Sequence, residues 1–174
     1  MILIINTCDK KLSKYEFINP ITSILNQYEV KHFTEKYNPN DYDGIIISGT
    51  ALKDNKALDF ISSFSWINNY SKPIFGICIG MQIIAVQLGA KVINSSKIGV
   101  TEINKKGKDI FSNIKKVYEL HNYSVTLPKG AEPLLYSDKR ILAFKKNKIY
   151  ATIFHPEVYN KDIIIEFQNF CLKQ

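Results

Sequence analysis

Residues 73–90, PIFGICIGMQIIAVQLGA, set a thiol between two glycines where an apolar run ends and an amphipathic segment begins. Glycine weakens a strand and is placed where the backbone turns sharply or approaches something closely. Gly76, Cys78 and Gly80 therefore have the pattern of a nucleophile elbow with sulfur in place of a hydroxyl. A helix starting just after Cys78 would offer its partial positive charge and free N–H groups to a thiolate. A lone cysteine in an apolar run is more often a small packed hydrophobe; the flanking glycines favour the nucleophile. Such a nucleophile needs a base, and the chain has three histidines, His32, His121 and His155. His32 follows a candidate strand and has no notable neighbours, and His121 lies in LHNYSV, a candidate binding loop. His155 ends the apolar segment YATIF and is followed by Pro156 and Glu157, so a carboxylate stands two residues on, able to hold the imidazole in one tautomer. Cys78, His155 and Glu157 make a nucleophile, base and orienter set that only the fold can bring together.

The elements that must position them are legible in outline. Ile2–Ile5, the run DGIIISGT from Asp43 to Thr50, and Pro73–Ile77 are short β-rich stretches ending in turn residues. Between them, PITSILNQY and NKALDFISSFSWINNY carry apolar residues at helical spacing, with Leu58, Ile61, Phe64 and Ile67 on one face. A helix is expected from Gln82 through Leu88, stopped by Gly89. This alternation predicts an α/β fold with a mostly parallel, doubly wound sheet and helices on both faces. From Lys97 to Ile153 the character changes to short β-prone pieces with turn signals at Lys105–Gly107 and Lys129–Gly130, read as antiparallel hairpins added to one side of the sheet. A last helix is expected over Asp162–Leu172.

The 174 residues fit one domain, 1–174. The net charge of +7 invites a nucleic-acid reading, but of the 23 basic residues only Arg140 is an arginine, the side chain suited to bidentate base contacts. Lysine clusters such as Lys105, Lys106 and Lys108 read as solvated surface, with partner docking second. No nucleic-acid role is expected, and no stretch reaches the roughly 18 apolar residues of a membrane span. MILIINTC is too short and lacks the basic flank of a signal peptide. Cys8, Cys78 and Cys171 form no disulfide framework or metal-ligand spacing. The expectation is a cytoplasmic protein with free thiols, no membrane partner and no metal.

GICIGMQ and HPE, in that order and after DGIIISGT, resemble the signatures of the class I (triad) glutamine amidotransferases, and the similarity runs from MILIIN to IIIEFQNFC. The resemblance implies a flavodoxin-like fold and hydrolysis of glutamine to glutamate and ammonia. It implies Cys78 as nucleophile, His155 as acid and base, and Glu157 as its orienter. Backbone N–H groups of Ile79 and of the Gly49–Thr50 loop would form the oxyanion hole. Gln82 and the segment His121, Asn122, Tyr123 and Ser124 would line and grip the substrate. Members pass the ammonia to a synthetase; here that implies a separate ATP-dependent subunit, with Mg-ATP on that partner and no cofactor on this chain.

Two positions depart from the family pattern. Thr50 stands where many relatives carry a second glycine, and its β-branch resists positive φ. Residues 151–155 read Ala-Thr-Ile-Phe-His where relatives have Gly-x-Gln-Phe-His. Within the family the closing half looks most like the amidotransferase subunits of GMP synthetase, which implies an XMP-aminating partner. Tyr123 is nearer to the small subunit of carbamoyl-phosphate synthetase, and the second subunit of anthranilate synthase is another free-standing candidate. A stand-alone γ-glutamyl cysteine hydrolase and a non-catalytic scaffold are the alternatives outside amidotransfer; the intact Cys78, His155 and Glu157 speak against the second.

Overall fold

A computed structural model describes residues 1–174 except Lys105, Lys139 and Gln174. Four apolar runs become parallel strands: β1 (Ile2–Asn6), β3 (Gly44–Ile47), β4 (Ile74–Ile77) and β9 (Ile149–Thr152). Every residue in them is buried, as continuous rather than alternating apolar runs require when both faces of a sheet are covered. The more exposed β2 (Tyr28–His32) pairs in parallel with β1 and forms one edge. The main sheet runs β2-β1-β3-β4-β9-β8-β7, in which β7 (Glu132–Ser137) and β8 (Arg140–Lys146) continue antiparallel to β9.

Helices cover both faces, and two glycines reveal the arrangement. A Cβ on Gly76 would lie 2.5 Å from Ile84 and 2.7 Å from the Gly80 carbonyl, so α4 (Ile79–Gln87) packs on the face that Gly76 presents. The neighbouring Phe75 points the opposite way, as strand alternation demands, and meets Phe167 of α6 (Lys161–Leu172), ring centroids 5.5 Å apart. α1 (Lys11–Phe17), α2 (Asn19–Thr22), α3 (Lys56–Asp59) and α5 (Pro156–Tyr159) are shorter.

The fold class follows the sequence reading, and several elements differ from it. Only Asn19–Thr22 of the helix expected around PITSILNQY forms, and Tyr28 already belongs to β2. The expected helix over 55–70 is one α-turn followed by a 3-10 segment, Ile61–Asn69. Its serines and asparagines compete with the helical ladder: Ser63 Oγ donates to the Phe60 carbonyl at 2.8 Å. Phe64 and Ile67 are still buried, and Leu58 and Ile61 pack against the core. α4 begins directly after Cys78, as the elbow reading expects, rather than after Gln82, and is stopped by Gly89 at φ +80°. The middle of the chain does not form a single set of hairpins beside the sheet. β5 (Val92–Glu102) and β6 (Lys116–Val125) pair with each other as a second, two-stranded sheet, joined just past the end of β9 by an isolated antiparallel bridge between Glu119 and Phe154, and β9 is itself the last parallel strand. Lys105 of the expected Lys105–Gly107 turn lies outside the described residues.

Candidate active site

The C-terminal ends of β1, β3, β4 and β9 meet at one place, the crevice where open α/β sheets bind ligands. Cys78 leaves β4 with φ 51° and ψ −105°, a left-handed conformation for a residue with a side chain, and α4 starts at the next residue. Gly80 allows this turn to press against β3, because a Cβ there would collide with the Ile47 carbonyl. The two glycines thus have the role their spacing suggests: they let a strained strand-to-helix turn sit close to the sheet. Cys78 is 4% exposed, and its thiol donates to the Leu120 carbonyl of β6 at 3.6 Å.

His155 follows β9, and its N–H donates to the Tyr118 carbonyl at 2.9 Å, which ties it to β6 as well. Pro156 opens α5, whose first turn carries Glu157. His155 Nδ1 and Glu157 Oε1 are 2.8 Å apart, and both residues are buried. Because a carboxylate only accepts, Nδ1 carries the proton and Nε2 is the free nitrogen; it has no other hydrogen bond among the described residues. Burial pushes the His155 pKa down, but the Glu157 carboxylate and Cys78 together outweigh it, and the ring is held well above the ordinary histidine value. Gly49 crosses directly beside this pair: a Cβ there would lie 2.6 Å from His155 Cε1 and 3.5 Å from Cys78 Cβ. Cys78, His155 and Glu157, separated by up to 79 positions in the chain, are thus neighbours in space.

Thr50, Cys78, Ile79, Gln82, His121, Asn122 and Tyr123 line one small cleft. Ser124, also expected at the substrate, is buried on β6 opposite Ile93 and is not among the residues that line it. Thr50 does not adopt positive φ, so its β-branch meets no strain; its hydroxyl donates to Asp54 at 2.9 Å. Gln82 donates through Nε2 to the Tyr123 carbonyl at 3.3 Å, leaving Oε1 buried and unpartnered. The cleft holds only about 10 Å³, too little for glutamine, and Asn122 Nδ2 donates to the Leu52 carbonyl at 3.4 Å across its rim. A larger groove of about 330 Å³, lined by Lys72, Leu88 and Asn147, lies toward the opposite ends of β4 and β9, away from the thiol.

His121 is not in a loop, as its sequence suggested, but in β6, and its ring is fully engaged: Nδ1 with the Ser95 carbonyl at 2.7 Å and Nε2 with Glu119 at 2.8 Å. The ring is therefore a brace for the cleft wall. Glu119, missed by the sequence reading, is its centre. It is wholly buried and accepts also from Thr101 at 2.6 Å and from Arg140 at 2.6 and 3.0 Å. Burial would raise its pKa, but the hydrogen bonds from His121, Arg140 and Thr101 prevail and bring it down to about 2. The chain's one arginine thus fixes the strand that contacts both Cys78 and His155. Within β6 only the Glu119–His121 spacing hints at this, because the other partners, Thr101 and Arg140, come from β5 and β8.

The fold and this constellation define a member of an amidotransferase family. The class I glutamine amidotransferase family profile matches residues 12–171, and the chain belongs to that family. It is 33% identical over 159 residues to one subunit of the glutamine-hydrolyzing GMP synthase of Thermoplasma acidophilum, covering 78% of this chain and 80% of that one. The identically named GMP synthase subunit from Picrophilus torridus is 32% identical over 133 residues, 70% of this chain and 71% of that one. A crystal structure of a Thermoplasma acidophilum protein assigned as the same GMP synthase subunit superposes with TM-score 0.82 at 26% identity, over 99% and 94% of the two chains. A Thermotoga maritima glutamine amidotransferase has the same fold, TM-score 0.69 at 20% identity, over 99% and 84%. No helix among the described residues is long and apolar enough to cross a membrane, and no group of His, Cys, Asp and Glu among them could hold a metal.

Proposed function

We propose that the chain hydrolyses the side-chain amide of glutamine and delivers the ammonia to a separate ATP-dependent synthetase subunit that aminates XMP to GMP. The observation that carries the chemistry is the strained Cys78 turn beside a buried His155–Glu157 pair whose Nε2 is free.

The proton of Cys78 passes to His155, whose imidazolium the Glu157 carboxylate stabilises. The thiolate adds to the amide carbon, and the oxygen that becomes negative is received by the N–H groups of Ile79, at the start of α4, and Thr50. His155 gives its proton to the amide nitrogen as the C–N bond breaks, releasing ammonia and leaving a γ-glutamyl thioester. Water then adds to the thioester and yields its proton to His155. The C–S bond breaks, and glutamate leaves with the thiol restored. Gln82 Oε1 and the backbone of 121–123 bound the pocket for the amino-acid end of the substrate.

The GMP assignment rests on the likeness to the two subunits named above. The chain itself is assigned no cofactor; Mg-ATP belongs on the partner. Glutamate release from glutamine is measured with this chain alone, with the XMP-aminating subunit plus Mg-ATP and XMP, and with an anthranilate synthase large subunit plus chorismate. Stimulation is expected in the XMP mixture. Stimulation only with chorismate would move the pathway, and full activity alone, unchanged by either, would make this a stand-alone hydrolase.

A further inference from the structure

Beside the reacting pair lies a second group of polar side chains that the chemistry above does not use. Thr7 and Cys8 directly follow β1, and Ser48 and Gly49 directly follow β3, so the parallel pairing of β1 with β3 brings the two segments together. Thr7 and Ser48 are completely buried. The Thr7 N–H donates to Ser48 Oγ at 3.1 Å, which directs the serine proton elsewhere, and Ser48 Oγ lies 3.0 Å from the Gly49 carbonyl oxygen. Thr7 Oγ1 is 3.1 Å from the same oxygen and 3.1 Å from the Ser48 carbonyl, and the Cys8 thiol reaches the Gly49 carbonyl at 3.7 Å. Thr7 Oγ1 and Ser48 Oγ are also 3.1 Å apart, so two hydroxyls from the segments that follow β1 and β3 converge on one backbone carbonyl.

That carbonyl shares its peptide unit with the Thr50 N–H. In a trans peptide the C=O and N–H point in opposite directions, and all peptide bonds among the described residues are trans. Fixing the Gly49 oxygen toward Thr7, Ser48 and Cys8 therefore aims the Thr50 N–H the other way. Gly49 lies against His155 and Cys78, and Thr50 lines the cleft with the thiol. No hydrogen bond among the described residues claims the Thr50 N–H. The Thr50 hydroxyl is held by Asp54, whose Oδ2 also accepts the Asp9 N–H at 2.9 Å, so the loop is tethered on that side to the same β1 segment.

We infer that Thr7 and Ser48 are positioning residues that set the oxyanion hole by clamping the Gly49 carbonyl. This rests on the glutamine-hydrolysing reading. Without the clamp the Gly49–Thr50 peptide can rotate, and the developing oxyanion loses one of two donors while the thiol, imidazole and pocket remain.

Thr7→Val, Ser48→Ala and the double variant are compared with wild type in glutamate release, under whichever partner condition supports turnover. In parallel, the rate at which iodoacetamide alkylates Cys78 is followed by mass spectrometry. Alkylation displaces iodide at a saturated carbon and generates no tetrahedral oxyanion, so it reads the thiolate and the fold without the hole. The double variant is expected to lose between about 10- and 1000-fold in kcat, the upper limit being full loss of one donor. KM and the alkylation rate should stay within about threefold, and Thr7→Ser, which keeps the hydroxyl, should restore most of the single-variant loss. Wild-type kcat in the double variant, or a loss of alkylation matching the loss of turnover, would overturn the assignment. A wild-type protein that never releases glutamate would instead remove the reading on which it rests.

Discussion

The thiol of Cys78 donates to the carbonyl of Leu120, 42 residues away on a strand of the other sheet, at 3.6 Å. The resting sulfur is thereby tied to the β6 strand, as is the His155 backbone through Tyr118. The two sheets meet at the chemistry.

Cys78 is expected to be the one fast-reacting thiol. Burial pushes Cys8 up to about 11 and Cys171 up to about 12, so both stay protonated at neutral pH. A glutamine-like diazoketone at pH 7.5, followed by peptide mapping, should label Cys78 stoichiometrically and leave the other two unmodified. Even labelling across the three would contradict this.

Glu157 keeps the imidazolium. With its pKa raised well above 6.5 by the Glu157 carboxylate and Cys78, His155 should hold the proton it takes from Cys78 beyond neutral pH in wild type. In Glu157→Gln the ring should titrate at lower pH in NMR spectra, while an amide still holds Nδ1 and turnover falls less than in His155→Ala. The sign for stability follows: a raised folded value stabilises fully below the unfolded pKa near 6.5 and fades as pH rises through the folded value. The Tm gap between wild type and Glu157→Gln should accordingly narrow toward alkaline pH, and a gap that widens there would count against the pairing.

Glu119 predicts behaviour at the acid end. Its folded pKa of about 2 is below the unfolded 4.5, so its contribution is complete above pH 4.5 and disappears as pH falls toward 2. Glu119→Gln should flatten the Tm–pH curve across that window. Arg140→Gln leaves a buried carboxylate short of its cation and should cost about 3 kcal/mol by urea unfolding at pH 7, the low end for breaking a buried pair because Arg140 is partly open to water. A change under about 0.5 kcal/mol, the scale of an ordinary surface substitution, would show that the network does not brace β6.

Gly49 is fixed by the ring beside it. An alanine Cβ would lie 2.6 Å from His155 Cε1, and the ring has no room to yield because it is 1% exposed and meets Phe17 at 5.3 Å on another side. Gly49→Ala should reduce glutamine turnover by about 100-fold, the scale of a misplacement near 1 Å. Circular dichroism should still report the native fold. Wild-type turnover would mean the histidine moves freely.

The parallel sheet was legible because strands buried on both faces leave uninterrupted apolar runs, as in Ile2–Ile5 and Ile45–Ile47. The turn at Cys78 was legible because a strained residue flanked by close packing demands small neighbours, and Gly76 and Gly80 record that demand. What stayed hidden depends on partners far along the chain. β-prone pieces mark parts of β5 and β6 as strands without saying that the two pair with each other as a separate sheet. The 3-10 segment was hidden because Phe64 and Ile67 are spaced for a helix while Ser62, Ser63 and Ser65 around them resist one. The Glu119 brace and the Thr7–Ser48 clamp were hidden for a further reason. Buried polar residues carry no periodic signal, and their meaning lies in groups contributed by other strands.

The central claim, that this chain makes ammonia for a partner to use, is tested most directly by one comparison. Cys78→Ala is assembled with the XMP-aminating subunit, and GMP formation is measured with glutamine and, separately, with an ammonium salt. GMP synthesis should vanish with glutamine and persist at the wild-type rate with ammonium. Synthesis from glutamine surviving the substitution, or synthesis from ammonium lost in a correctly assembled complex, would contradict it.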